Sequence, residues 1–278
     1  MTTTQIFQYR LSTPSNRVYP GTHVGRRVSS GHLFKQHESL LAHPDPRRID
    51  LRASVLDVFG QYRVRVYQQH SLIDVLLLAD LSASMSQNKT LLLACLDAIA
   101  ESAFSYGDRF SFMACGSQDP NRYQLKYCQQ RGALRAFSQQ LQSARFTPQN
   151  PHWQAVLPQL PNRPSLVFLL SDFYFDLASL APILPQLRQH DVIPLVVWQT
   201  VDYEHLPEWG LVSFQDSESR ATRTLFMRPA LRRTIVKNFQ QRRQHLQRLF
   251  RRFGCEPLFL QDSFQAAQLQ AYFLQRAA

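Results

Sequence analysis

From about Leu72 to Trp198 the sequence alternates short apolar runs with stretches of helical periodicity, and no other feature constrains the fold as much. Ile73-Asp74-Val75-Leu76-Leu77-Leu78-Ala79 and Leu166-Val167-Phe168-Leu169-Leu170 read as buried parallel strands. A strand covered on both faces loses its polar alternation, and these runs have none. The spacing predicts strands over 72–79, 109–115, 165–170 and 192–198, with helices over 89–106, 131–143, 152–160 and 176–190. Strand and helix in turn imply a mostly parallel sheet with helices on both faces. Arg109–Gly116 and Arg122–Cys128, joined by Ser117-Gln118-Asp119-Pro120-Asn121, predict a hairpin that adds one antiparallel edge strand. Beyond Trp198 come two short strands, 211–214 and 224–227, then a basic helix over 229–253, a strand over 256–260 and a last helix near 264–275. The fold class is therefore α/β. Residues 21–70, with Gly21, Gly25, Gly31, Pro44, Pro46 and Gly60, lack helical periodicity and read as a β-rich extension. Residues 1–20, rich in Thr, Ser and Pro, are expected to be flexible.

The first long strand runs directly into Asp80-Leu81-Ser82-Ala83-Ser84, so an acid and two hydroxyls arrive together where a strand ends. Side chains alternate along extended chain, which lets positions 80, 82 and 84 present oxygens on one side. Oxygen donors of low total charge suit Mg²⁺, or Mn²⁺, with several waters retained. Ser171-Asp172 ends the later apolar run. Ligands of open α/β sheets sit at the carboxyl ends of strands, so the two acidic ends can converge on one ion. The alternative is that Ser82 and Ser84 only start the following helix, as N-cap serines do.

With these residues in place, the chain resembles the von Willebrand factor A (vWA) fold, a Rossmann-like sheet, and its metal-ion-dependent adhesion site (MIDAS). The resemblance goes further. Gly21-Thr22-His23, Gly31-His32-Leu33-Phe34, Asp45-Pro46-Arg47-Arg48-Ile49-Asp50-Leu51-Arg52 and Val64-Arg65-Val66 are similar to the N-terminal half of the bacterial "domain of unknown function fifty-eight" family. So are Tyr106-Gly107-Asp108-Arg109, Leu170-Ser171-Asp172-Phe173, and the stretch from Glu204-His205-Leu206-Pro207 through Gly210 to Asp216-Ser217-Glu218. The likeness covers roughly residues 20 to 275. It implies residues 71–278 as a vWA-like domain with a short β insertion near 205–228. It also implies a metal site of Asp80, Ser82, Ser84 and Asp172, and a non-enzymatic, chaperone-like adaptor. Such adaptors work beside a MoxR-type AAA+ ATPase in assembling or activating a client protein complex. The vWA site that the chain resembles takes a further Thr from a Gly-Gly-Thr-Asp loop, whereas this chain reads Phe146-Thr147-Pro148-Gln149-Asn150-Pro151-His152-Trp153. Register points to Asn150 and hydroxyl chemistry to Thr147.

Composition excludes other classes. The chain is 44% hydrophobic with 19 Phe, enough for a sizeable core. Cys95, Cys115, Cys128 and Cys255 form no C-x-x-C pair and read as reduced core thiols of a cytoplasmic protein. No apolar run approaches the roughly twenty residues that span a bilayer, and no secretory signal is expected. The formal net charge is +11, with arginine pairs at Arg232-Arg233, Arg242-Arg243 and Arg251-Arg252 on the basic helix. That face suits solvent, an acidic protein, or a nucleic acid or anionic surface, the last being the rival function. A phosphatase of the aspartyl type would need an acid two residues after Asp80, where Ser82 stands. No G-x-x-x-x-G-K-[ST] or G-x-S-x-G occurs, and His32, His37 and His43 lack zinc-ligand spacing. Asp50 beside Arg47, Arg48 and Arg52 reads as a structural ion-pair cluster.

Overall fold

A computed structural model describes residues 6–9, 20–42, 44–116, 122–146, 153–215 and 222–277. The chain divides into two compact units, residues 11–73 with 106–108, and residues 1–10, 74–105 and 109–278.

The first unit is built on β1 (Pro20–Ser39) and β2 (Arg63–Ser71), paired antiparallel with several register shifts. Between them lie a 3₁₀ turn, Pro46–Arg48, and α1 (Leu51–Val55). The expected cluster of Asp50 with Arg47, Arg48 and Arg52 is not what forms. Asp50 caps α1 by accepting the Arg52 and Ala53 N–H groups, and pairs instead with Arg65 at 2.7 Å and His37 at 3.1 Å. Capping engages Oδ1 with the first-turn N–H groups, and Oδ2 meets His37 and Arg65, which β1 and β2 bring alongside. The Arg65 partner and the capping N–H of Ala53 hold its carboxyl well below the usual range.

The second unit carries a six-stranded sheet. In chain order its elements are β3 (Asp74–Asp80), α2 (Lys89–Ser105), β4 (Arg109–Cys115), β5 (Gln124–Cys128), α3 (Arg131–Gln142), β6 (Leu166–Ser171), α4 (Leu184–Leu187), β7 (Asp191–Trp198), β8 (Gly210–Gln215), β9 (Thr222–Met227), α5 (Pro229–Arg251), β10 (Leu258–Gln261) and α6 (Ala266–Ala277). The strand order is β10-β7-β6-β3-β4-β5, all parallel except β5, which runs antiparallel to β4 at one edge. β8 and β9 form a separate two-stranded ribbon. Every residue of β3, β6 and β7 is buried, as strands covered on both faces require.

Register sorts the core into two layers. Leu76, Leu78, Val167, Leu169, Val192 and Val196 point to one face and pack with Leu246 and Phe250 of α5. Leu77, Phe112, Phe168 and Ile193 point to the other, where Phe112 meets Phe137 of α3 at 5.1 Å. Phe168 contacts Phe273 of α6 at 6.4 Å and Phe7 at 6.3 Å. Residues 6–9, part of the segment expected to be flexible, are thus packed rather than loose. Phe7 is 1% exposed and its N–H is held by Ser102 Oγ at 3.1 Å.

Two predicted helices are corrected. In place of a helix over 152–160 there is a 3₁₀ segment, Trp153–Gln159, that contains Pro158. The stretch 176–190 breaks into a 3₁₀ turn, Leu177–Leu180, and the single turn α4, with Pro185 inside it. The apolar periodicity there was real, but proline removes the N–H that a continuous α-helix needs. The four cysteines are buried and free of disulfides. Among the described residues no helix is long and apolar enough to cross a membrane.

Phe168 is fully buried at the centre of the sheet. Phe168→Ala should lower unfolding stability by about 3–5 kcal/mol, read as an earlier midpoint in chemical denaturation.

Candidate metal centre

The chain builds β4 and β5 on one side of β3, then returns to place β6, β7 and β10 on the other. The boundary between β3 and β6 is therefore the point where strand order reverses, and the carboxyl ends there are where open α/β sheets form their ligand crevice. Asp80 is the last residue of β3 and Ser171 the last of β6, with Ala79 opposite Leu170 in register. Parity puts the side chains of positions 80 and 171 on the same face, and Ser171 Oγ donates to Asp80 Oδ2 at 2.7 Å. Asp80 Oδ1 accepts the Ser82 N–H at 2.8 Å. Ser82 Oγ and Ser84 Oγ lie 3.0 Å apart. Both serines also begin a 3₁₀ turn, Ala83–Asn88, yet Ser82 makes no side-chain capping bond there, so the N-cap alternative does not account for its hydroxyl.

Asp172 follows Ser171 and is 1% exposed. Its Oδ1 accepts the Tyr174 N–H at 3.1 Å and its carbonyl accepts Trp198 Nε1–H at 2.9 Å. The next residue, Phe173, sits at φ 53°, a left-handed conformation that a bulky side chain adopts only under constraint. Its N–H donates to Ser171 Oγ at 3.0 Å, and its carbonyl accepts from Arg242 Nη2 of α5 at 2.5 Å. The same nitrogen also bonds the Phe175 carbonyl. Burial pulls the Arg242 guanidinium below its ordinary value, against the opposing charges of Asp176 and Asp172.

The electrostatics are those of two acids sharing one buried place. Asp80 is pushed up to about 7, first by burial and then by the charge of Asp172, against the hydrogen bonds from Ser171 and Ser82. The backbone closes tightly around it. Leu81 N–H bonds the Cys115 carbonyl at 2.7 Å, and Gly116 follows at φ +82°. A Cβ there would lie 3.1 Å from Ser82 N and 3.3 Å from Asp80 Oδ1.

Asp80, Ser82, Ser84 and Asp172 are thus brought to one strand-end crevice. Thr147 and Asn150 lie outside the described residues. The chain leading towards them is anchored by Lys89, whose Nζ donates to the Ala144 carbonyl at 2.9 Å and faces the Phe146 ring at 5.5 Å. Sequence reading missed Ser171 as the hydroxyl that binds Asp80, along with Gly116, Trp198 and Arg242. Ser171 was legible from register, because it shares the parity of Asp80 one strand over. Arg242 was not, since nothing in a basic helix marks which arginine turns inward. No group of three or more His, Cys, Asp or Glu residues able to hold a metal occurs among the described residues. The donor set here is two carboxylates with hydroxyls.

Fold and crevice together define an α/β protein with a mostly parallel sheet and a doubly acidic, hydroxyl-lined strand-end site. The family model described as "Protein of unknown function DUF58" matches residues 45–245, and the chain belongs to that family. No curated protein matches it significantly. Among solved structures the chain is similar to the conserved hypothetical protein BatB from Bacteroides thetaiotaomicron, at 10% identity over 74% of this chain and 98% of that one, with a TM-score of 0.37. It is also similar to an uncharacterized membrane spanning protein from Vibrio fischeri, at 12% identity over 73% and 96% of the two chains, with a TM-score of 0.20. Likeness at that level carries no argument about site or function.

Gly116→Ala should destabilise the protein by about 1–3 kcal/mol, because the backbone conformation and the closed space both oppose a side chain. Thermal or chemical unfolding measures it. The Asp80 carboxyl also gives stability a sign with pH. Its folded value lies above the ordinary 3.8, so the native state binds the extra proton between about 4 and 7. In metal-free protein this group's contribution therefore falls as pH rises across that window and is level above it. Asp80→Asn should flatten the slope in denaturation curves taken from pH 4 to 8, and an unchanged slope would refute the assignment.

Proposed function

We propose that the chain is a non-enzymatic, metal-dependent interaction protein of the vWA type, whose MIDAS-like site is the crevice between β3 and β6. The observation that carries the reading is the burial of Asp80 beside Asp172 at the switch point, among the hydroxyls of Ser82, Ser84 and Ser171. Two buried acids that repel each other are relieved by a cation, and all the available donors are hard oxygens. Neighbouring ligands of an octahedral Mg²⁺ at about 2.1 Å stand roughly 3.0 Å apart, the separation of the two serine hydroxyls. Ser82, Ser84 and Asp172 would hold the ion, directly or through water, and Asp80 would hold waters around it. An incomplete shell on a hard cation then selects a carboxylate from a partner.

In this reading the partner is a MoxR-type AAA+ ATPase acting on a client protein complex, and the chain supplies no nucleotide chemistry. A hydrolase reading fits the geometry less well. Asp80 has both oxygens engaged, no exposure, and a hydroxyl where a general acid would stand.

Calorimetric titration with Mg²⁺ or Mn²⁺ tests the site, and a chelator tests its use. Saturable binding should weaken at least tenfold in Asp172→Ala and Asp80→Ala, with the fold retained by circular dichroism. Association with the AAA+ ATPase should be lost with chelator and in Asp80→Ala. Unchanged metal affinity in both variants would sink the proposal.

A further inference from the structure

On one face of the β8–β9 ribbon the described side chains run from buried Met227 to Leu225 at 40% exposure, and the other face is open. Leu211 lies opposite Phe226 in register, so these two share the outer face, and Trp209, two residues before Leu211, joins them by alternation. All three stand out in solvent, at 64% exposure for Trp209, 75% for Leu211 and 57% for Phe226. The Trp209 and Phe226 rings touch at 6.2 Å between centroids. Further along the same face Ser213 and Thr224 are cross-strand partners joined by a hydroxyl hydrogen bond of 3.0 Å, which ends the apolar patch. A two-stranded ribbon has little stability of its own, and an outer face of Trp, Leu and Phe adds nothing to it in water.

The chain passes from this ribbon straight into α5, which contains six arginines and a lysine and no acid. Arg228 and Arg233 are exposed, as is Lys237, while Arg232 is paired to Glu208 at 3.2 Å. Before Leu246 no residue of α5 is fully buried. The ribbon also lies on the route out of β7, whose last residue, Trp198, donates to the Asp172 carbonyl. An apolar anchor patch followed by a helix start whose Arg233 and Lys237 have no ion pair among the described residues has the composition of a binding hot spot, where Trp and Arg are enriched. Its charge is complementary to an acidic surface.

We infer that the outer face of β8–β9 with the first half of α5 is a docking surface for an acidic protein segment carrying an apolar anchor. Trp209, Leu211 and Phe226 receive the anchor, and Arg228, Arg233 and Lys237 face its carboxylates. A membrane surface fits less well, because the apolar patch is only two cross-strand rows deep before the Ser213–Thr224 pair. The inference does not depend on the metal.

The chain contains three tryptophans, and Trp153 and Trp198 are buried, so emission changes on docking report Trp209. Random twelve-residue peptides displayed on phage should be selected against the full chain, with and without EDTA. The enriched peptides should be net acidic and contain Leu, Phe or Trp, and synthetic copies lacking Trp should shift the protein's emission to the blue in either condition. Phe226→Ser and the pair Arg233→Glu with Lys237→Glu should each weaken binding at least tenfold while circular dichroism is unchanged. Enrichment without an acidic bias, binding that leaves emission unmoved, or affinity indifferent to both variants would overturn the inference. So would a blue shift with phosphatidylglycerol vesicles and none with peptide. Binding that survives EDTA separates this surface from the crevice, whose failure would leave it standing.

Discussion

The hydrogen bond from Ser171 to Asp80 crosses the boundary between β3 and β6 and joins the two halves of the sheet at their carboxyl ends. It exists because both strands are parallel and in a register that gives the two side chains one face. A slip of one residue in either strand would send one of them to the opposite layer. The same register fixes Leu76 and Leu78 in the layer under α5, so core packing and site geometry share one constraint. Ser171 also accepts the Phe173 N–H, and thereby helps hold the left-handed residue that turns the chain past Asp172.

What surrounds that bond is costly without a counter-charge. Asp80 and Asp172 lie nearly out of solvent, and Arg242, which reaches the loop, spends hydrogen bonds on the carbonyls of Phe173 and Phe175. Folded proteins tolerate buried like charges where function requires them, and perturbed acids gather at functional sites. Gly116 shows that the surrounding chain is shaped to the same cluster, since its missing side chain leaves room for Asp80 and the Ser82 amide.

Much of this was legible in the sequence, for identifiable reasons. The β3, β6 and β7 runs are unbroken apolar stretches, and only a strand buried on both faces reads that way, so strand type followed directly. Asp80 and Asp172 stood out because each interrupts hydrophobicity where a strand ends. The 3₁₀ segments at 153–159 and 177–180 were read as α-helices, because apolar spacing survives where proline forbids the hydrogen bonds. Asp50 was assigned the wrong arginines because its partner, Arg65, lies across a strand pair rather than along the chain. The outer face of β8–β9 could not be foreseen, since a short strand with apolar residues on both faces looks the same whether one side or neither is covered.

The uneven anchoring of α5 has a mechanical meaning. The helix is clamped by Leu246 and Phe250 towards its end, while its start follows an open ribbon. From Pro229 to Arg242 is about 20 Å of helix at 1.5 Å per residue, a stiff rod that starts beside the buried Met227. Phe239 rests on the rings of Trp198 and Tyr203 at 5.5 and 4.8 Å, the natural fulcrum of such a rod. Trp198, beneath Phe239, and Arg242, one turn further on, both hold backbone carbonyls of residues 172–175, so any tilt of the helix is felt at the loop that carries Asp172.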